Sequence, residues 1–258
     1  MNIAQAVALA SLSSCACLAV AAPRDVKIAS FDIDNAVVEL TNFGTGTEDL
    51  SGWRFCSNNT SVVLRYSSST GFNGTSLAPG ESIFIHLNDD ASGTGEINYS
   101  SLGGSVAPVD RTAYSIAIYF PPVGGGGISF GNGALIADFL QFSLNGANNT
   151  TANIRTDEAV NGGVWAGLTD WISTTNNSSS IDLVDTASVL SDSTDYAVNE
   201  PCLVDLAAPF GSLNFFDVAA YVNLFNAGDP AADFAAPFGL INFFDISAFI
   251  AQFNAGCP

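Results

Sequence analysis

The chain has 258 residues, enough for one medium-sized domain and a smaller one. Twenty-five acidic residues against six Lys and Arg leave a net charge of −19, which makes nucleic acids and anionic membrane surfaces poor partners. Only 12% of the residues are charged, and Gly, Ser, Thr, Asn, Val, Ile and Phe are abundant. This balance favours a mainly β fold with long polar loops.

Residues 1–21 are apolar and rich in Ala and Leu, and residues 19–21 (Ala-Val-Ala) have the small-residue pattern of a signal-peptide cleavage site. The sequence therefore predicts a secreted protein that is extracellular or attached to the cell surface. The alternative is a lipoprotein signal at Cys15, because residues 12–15 loosely resemble a lipobox. No later segment reaches about 18 consecutive apolar residues, so we expect no transmembrane segment.

Residues 23–199 are predicted to form a β domain. Short runs rich in Val, Ile and Phe are separated by turn signals, and several of them alternate between apolar and polar residues. These runs cover residues 25–31, 36–41, 53–57, 61–66, 82–87, 114–120, 134–142 and 180–184. So many short strands with polar connections indicate a β-sandwich of the immunoglobulin type.

Three short motifs in this domain carry a family resemblance. They are Val-Val-Glu-Leu-Thr-Asn at 37–42, Asp-Leu-Ser-Gly-Trp-Arg at 49–54 and Leu-Ala-Pro-Gly-Glu at 77–81, the last ahead of an apolar strand. They resemble the lamin-tail domain, an immunoglobulin-like sandwich of nuclear lamins and secreted bacterial proteins, over about residues 26–90. The resemblance implies a binding or spacer module without catalytic residues. It leaves two long insertions, 99–123 and 145–180, without a place in the fold.

The sequence offers little material for a catalytic centre. A single histidine, His86, supports neither a zinc site nor a Ser-His-Asp triad. The remaining option is a carboxylate pair facing across a cleft, as in glycosidases, with Asp157 and Glu158 or Asp32 and Asp34 as candidates. Neighbouring carboxylates are expected by chance in so acidic a chain, and we predict that the protein is not an enzyme.

Trp165 and Trp171 invite a second interpretation. They lie in a stretch rich in Gly and Thr, residues 162–171, where an exposed indole ring would offer a flat face for stacking on a sugar. A carbohydrate-binding protein that holds polysaccharide through these two residues is therefore the alternative function. Packing of the same loop against the domain is the competing structural explanation.

The last 57 residues contain a duplicated segment. Residues 205–217 return 28 positions later as residues 233–245, and each copy continues into an apolar stretch that ends in Phe-Asn-Ala-Gly. The stretches carry apolar residues at helical spacing: Val218, Tyr221, Val222 and Phe225, then Ile246, Phe249, Ile250 and Phe253. Because neither helix can bury its apolar face alone, we expect residues 200–258 to form a small all-α module of two loop-helix units packed on each other.

Each loop contains the spacing Gly-x-apolar-Asn-x-x-Asp, which is the second half of an EF-hand calcium loop. Residues 202–258 resemble a dockerin domain, in the variant that ends in Gly-Cys. The resemblance implies attachment to a cohesin-like or other cell-surface protein receptor, with calcium in the loops. The candidate calcium ligands are Asp205, Asn214 and Asp217 in the first copy and Asp233, Asn242 and Asp245 in the second.

The loops also depart from the dockerin pattern. The first Asp of each loop lies one residue too far upstream of the Gly, and Ala-Ala-Pro-Phe occupies places where side-chain oxygens belong. About three side-chain donors per loop remain, whereas calcium takes six to eight oxygens. Two alternatives follow: calcium completed by carbonyls and water, or a metal-free loop packed by its Phe.

Three cysteines remain once a leader is removed. Cys202 and Cys257 bracket the duplication, and in an oxidising compartment we expect them to form a disulfide. Cys56 is then unpaired, and we interpret it as a small buried hydrophobe. The alternative is a reactive thiol with Arg54 as its cationic neighbour.

Taken together, the sequence features predict a non-catalytic protein whose β-sandwich is held at an extracellular location by a C-terminal receptor-binding module.

Overall fold

The computed structural model describes residues 24–59, 65–106, 109–147, 155–210 and 212–257. The predicted signal peptide at 1–21 and the alternative lipoprotein site at Cys15 lie outside the described residues, as does most of the predicted strand at 61–66. None of the described helices is long and apolar enough to cross a membrane.

The chain is mainly β, as predicted. The strands are β1 (Val26–Asp32), β2 (Val37–Asn42), β3 (Glu48–Asp49), β4 (Arg54–Asn59), β5 (Arg65–Tyr66), β6 (Ser76–Leu77), β7 (Ser82–His86), β8 (Glu96–Asn98), β9 (Ala113–Tyr119), β10 (Ile136–Leu144), β11 (Ile172–Thr174), β12 (Ser180–Leu183) and β13 (Tyr196–Asn199). The helices are α1 (Thr156–Asn161), α2 (Phe215–Ala227) and α3 (Phe243–Ala255). Short 3-10 turns at Gly133–Leu135, Ser193–Asp195 and Pro230–Ala232 complete the described elements.

The strands form three sheets in the described part of the chain. A six-stranded sheet has the order β13-β12-β1-β2-β7-β8, a five-stranded sheet has the order β11-β10-β9-β4-β5, and β3 pairs with β6. The pairs β7–β8 and β10–β11 are parallel and the other pairs are antiparallel. Hydrophobic alternation sets the register: Val38 and Leu40 of β2 are buried opposite Ile85 and Ile83 of β7.

The two large sheets pack face to face around one hydrophobic core. Phe31 of β1 stacks on Tyr114 of β9, with ring centroids 5.8 Å apart, and contacts Phe142 of β10 at 5.7 Å. All three rings are fully buried. Aromatic side chains of both sheets therefore join the two layers.

The five-stranded sheet is covered on its other face as well. Residues of β10 alternate in direction, so Gln141 faces away from the side of Phe142. The Gln141 side chain accepts a hydrogen bond from Thr156 of α1 (2.6 Å) and donates one to the Asp170 carbonyl (2.6 Å). The predicted insertion at 145–180 thus contributes a layer over this sheet, which is why β9 is buried along its whole length.

The C-terminal segment has a separate hydrophobic core. Val204, Tyr221, Ala232 and Phe249 are its buried members, and the Tyr221 and Phe249 rings lie parallel with their centroids 3.9 Å apart. The expected packing of α2 on α3 is therefore present. A disulfide joins Cys202 to Cys257, so the predicted pairing is confirmed.

Asp138 of β10 is a fully buried acid at the contact between the two large sheets. Its Oδ2 accepts a hydrogen bond of 2.7 Å from the Ile28 amide of β1. Burial raises its pKa from 3.8 to about 6, against the lowering effects of the Ile28 and Phe139 amides and of Lys27 and Arg24. The folded chain therefore holds this proton more tightly than the unfolded chain does.

We expect Asp138→Asn to stabilise the protein above pH 6. Between pH 3.8 and about 6, a rise in pH ionises the carboxyl of the unfolded chain before that of the folded chain, so wild-type stability falls. The full cost of the buried charge is about 3 kcal/mol, and Asn avoids it. Asn offers one acceptor oxygen where the carboxyl offers two to the Ile28 and Phe139 amides, so the net gain is smaller than that cost. Denaturant unfolding of both proteins from pH 4 to pH 8 checks this. The account fails if the difference does not shrink as the pH falls towards 4.

Candidate functional site: the duplicated C-terminal module

Both helices of the C-terminal module begin at the same polar cap. The Asn214 side-chain oxygen accepts a hydrogen bond of 2.8 Å from the Phe216 amide, and Asp217 Oδ2 accepts one of 2.8 Å from the Asn214 amide. Asn242 and Asp245 repeat this arrangement in the second copy, at 2.8 and 2.6 Å. Each Asn-x-x-Asp motif is therefore a reciprocal cap that satisfies the first free amides of its helix.

The capping Asp also holds the start of its loop. Asp217 Oδ1 accepts a hydrogen bond of 2.8 Å from the Ala207 amide, and its side chain is inaccessible to solvent. Burial alone would raise the pKa of Asp217, but the amides of Asn214, Ala207 and Leu206 outweigh that effect and hold the pKa below its ordinary value. Asp217 is thus an ionised carboxylate stabilised by backbone amides.

Asp245 does the same in the second copy. Its Oδ1 accepts hydrogen bonds from the amides of Phe234 (2.9 Å) and Ala235 (2.8 Å). The Asn242 amide is the main cause that lowers the pKa of Asp245, against the opposing effect of burial. The first Asp of the loop, Asp233, lies beside this carboxylate and accepts a hydrogen bond from the Gly239 amide through Oδ2.

The structure brings the predicted calcium ligands together within each copy but gives most of them amide partners. The side-chain oxygen of Asn214 and both oxygens of Asp217 accept backbone hydrogen bonds, and so do the equivalent atoms of Asn242 and Asp245. Within the described residues no group of three or more His, Cys, Asp or Glu converges as a metal site. These residues therefore do not fit a calcium cage, and the calcium expectation gains no support from the geometry.

The second alternative, a loop packed by its Phe, is wrong in its details. Phe210 and Phe238, the Phe residues of the two loops, are 73% and 75% exposed. The loop interiors are filled by the carboxylates of Asp217 and Asp245 instead. The sequence alone did not indicate this arrangement, because Phe is among the residue types most often buried.

The exposed aromatic side chains are the principal surface feature of the module. Each copy presents one Phe from its loop and two from the first turn of its helix, and all six are between 61% and 76% exposed. They are Phe210, Phe215 and Phe216 in the first copy and Phe238, Phe243 and Phe244 in the second; we call them the Phe surface. A signal was available in the sequence: the Phe pairs at 215–216 and 243–244 fall outside the helical stripe that packs α2 on α3.

A groove between α2 and α3 adds to the apolar surface. It has a volume of about 310 Å³ and is lined mainly by the helical stripes of both copies. Val222 and Ile250 are half exposed along it. The surroundings of these surfaces are acidic, because residues 200–258 contain six Asp and Glu but no Lys, Arg or His.

Both predicted sugar-stacking residues are buried. Trp165 is 1% exposed, packs edge-on against Phe139 at 5.6 Å, and donates from its indole nitrogen to the Asp170 carbonyl at 2.8 Å. Trp171 is 5% exposed and donates to the Leu168 carbonyl at 3.2 Å. The competing explanation, a packed loop, is the one observed: the loop carrying both residues covers the outer face of the five-stranded sheet. Neither indole has a free face for a saccharide.

The remaining candidate residues have structural roles. Cys56 is buried in β4, and burial raises the pKa of its thiol to about 12, which leaves it protonated and unreactive. His86 contacts Asp90 at 2.6 Å at the surface. Glu158 forms an ion pair with Arg155 at 2.9 Å, and Asp34 forms one with Arg111.

No protein-family model and no curated protein matches this sequence.

Proposed function

We propose that the chain is a non-catalytic, secreted or cell-surface protein that a C-terminal module attaches to a protein receptor. The sheet domain, which we take to be an immunoglobulin-like sandwich of the lamin-tail type, is the part that is displayed or used as a spacer. The observation that carries the proposal is the Phe surface. The resemblance of residues 202–258 to a dockerin supports the same function.

The free energy available from the Phe surface is large. Phe is among the residue types most often buried, so six Phe side chains that are each at least 61% exposed are unusual, and exposed apolar clusters mark interaction sites. A Phe side chain that passes from solvent into an interface contributes about 1.5–3 kcal/mol. Full burial of all six rings would contribute about 9–18 kcal/mol, which is comparable with the roughly 12 kcal/mol or more that a micromolar complex requires once the cost of association is included.

The negative charge of the module restricts the kinds of receptor that it can bind. Six carboxylates without a compensating cation disfavour anionic lipids, nucleic acids and a second copy of this acidic chain. A protein with an apolar binding site rimmed by Lys and Arg complements such a surface. A cohesin-like protein on the cell surface is the receptor that the dockerin resemblance implies.

Replacing the helix-start Phe residues tests the proposal. We expect the quadruple change of Phe215, Phe216, Phe243 and Phe244 to Ser to weaken attachment to envelopes of the producing cells by at least about 100-fold, since even two buried rings are worth that much. The fold should persist, because these side chains already face solvent. Binding of labelled protein to isolated envelopes gives the affinity.

Two exposed Phe residues of the sheet domain provide the matched control. Phe43 and Phe84 are 40% and 37% exposed, and their replacement by Ser should leave envelope binding unchanged. Equal loss of binding in both variants would show that general surface hydrophobicity, and not the module, causes retention. Unchanged binding of the quadruple variant would contradict the proposal.

A further inference from the structure

In the loops of the C-terminal module, the charges are arranged in the opposite way to those of a calcium loop. In a calcium loop, carboxylate and carbonyl oxygens surround a cation. Here backbone amides surround a carboxylate. In the second copy the amides of Phe234, Ala235 and Asn242 point at the Asp245 side chain, at 2.6–2.9 Å. Successive amides that converge in this way form a site for negative charge.

The first copy has the same arrangement around Asp217. The Ala207 amide reaches it from the start of the loop and the Asn214 amide from the end, both at 2.8 Å. One side chain therefore ties the two ends of the loop together and caps the helix. That is the task a bound cation performs in a calcium loop.

We infer that each loop is an amide-lined pocket closed around its own carboxylate, Asp217 or Asp245, and that the module folds and stays folded without calcium. The centre of each loop already holds a carboxylate, and backbone amides donate hydrogen bonds to both of its oxygens.

Few side-chain oxygens remain for a cation. In the described part of the second copy, Asp233 Oδ1 is a buried carboxylate oxygen without a hydrogen-bond partner. A cation bound there would have to take nearly all of its six to eight oxygens from carbonyls and water. The intervening Ala-Ala-Pro-Phe has no side-chain oxygen to add. A cation entering the loop would also have to displace the amide protons that point at Asp245.

The test uses the full chain and two variants, each melted in excess calcium and in excess chelator. Asp245→Asn replaces one acceptor oxygen by an amide nitrogen that faces backbone donors, so we expect a lower melting temperature of the module. Asp229→Asn is the matched control: it removes the same charge from the same module, and Asn can still accept the hydrogen bond from the Ala231 amide. Calcium titration calorimetry on the wild type accompanies the melts.

An amide-lined pocket and a calcium loop predict different melting temperatures and different binding heats. For an amide-lined pocket, calcium and chelator give the same wild-type melting temperature, no binding heat appears, and Asp245→Asn lowers the melting temperature equally in both conditions. For a calcium loop, calcium raises the wild-type melting temperature and the effect of Asp245→Asn disappears in chelator. The second pattern would overturn the inference, and neither pattern depends on identifying the receptor.

Discussion

Trp165→Ala will lower the free energy of unfolding of the sheet domain by about 3–5 kcal/mol. The indole is fully enclosed between Phe139 and Tyr196 and donates a hydrogen bond to the Asp170 carbonyl. Its removal leaves a cavity over the five-stranded sheet, and the Asp170 carbonyl keeps only the hydrogen bond from Gln141. The midpoint and slope of denaturant unfolding, monitored through a spectroscopic signal of the sheet domain, measure this loss.

Leu168→Ala is the control for this prediction. Leu168 lies in the same loop but is 44% exposed, so its truncation should cost less than about 1 kcal/mol. A Trp165 variant as stable as the Leu168 variant would mean that the indole lies outside the core, and the stacking of Trp165 on saccharides would return as an alternative.

Opening the Cys202–Cys257 disulfide will destabilise the C-terminal module by about 4 kcal/mol. The bond closes a loop of 55 residues, and releasing it restores conformational freedom to the unfolded chain. The module is small, and four apolar side chains are fully buried among its described residues, so a loss of this size should unfold much of it at moderate temperature.

Calorimetric melting with and without a reductant measures this loss. The transition of the module should move to lower temperature, whereas that of the sheet domain should not, since the two hydrophobic cores share no residue. Cys56→Ala, which leaves the disulfide intact, should not move the transition of the module. A module that melts at the same temperature when reduced would contradict the prediction.

The strands with one buried face were the easiest to predict. Residues 25–31, 36–41 and 82–87 show clear alternation, and the observed strands at Val26–Asp32, Val37–Asn42 and Ser82–His86 agree with them. The second layer was not predictable in the same way. A helix of six residues, Thr156–Asn161, has too few turns to show a period, and the loop of Trp165 contacts the sheet through residues distant in sequence.

The sequence located the helix starts of the module and left their chemistry open between a cap and a calcium loop. The Asn-x-x-Asp spacing marks a helix start in either case, because a capping box and the end of a calcium loop use the same residue types. Only the position of Asp217 relative to the Ala207 amide distinguishes the two. The exposure of Phe215 and Phe243 likewise depends on how α2 and α3 pack, which no single helix shows.

Attachment to a protein receptor is the central claim, and a binding isotherm tests it most directly. Labelled full-length protein would be titrated onto envelopes of the producing cells, untreated, protease-treated or glycosidase-treated. We predict saturable binding that unlabelled protein competes away, that protease abolishes, and that glycosidase leaves intact. Binding that survives protease and disappears with glycosidase would contradict the claim and identify a polysaccharide as the receptor.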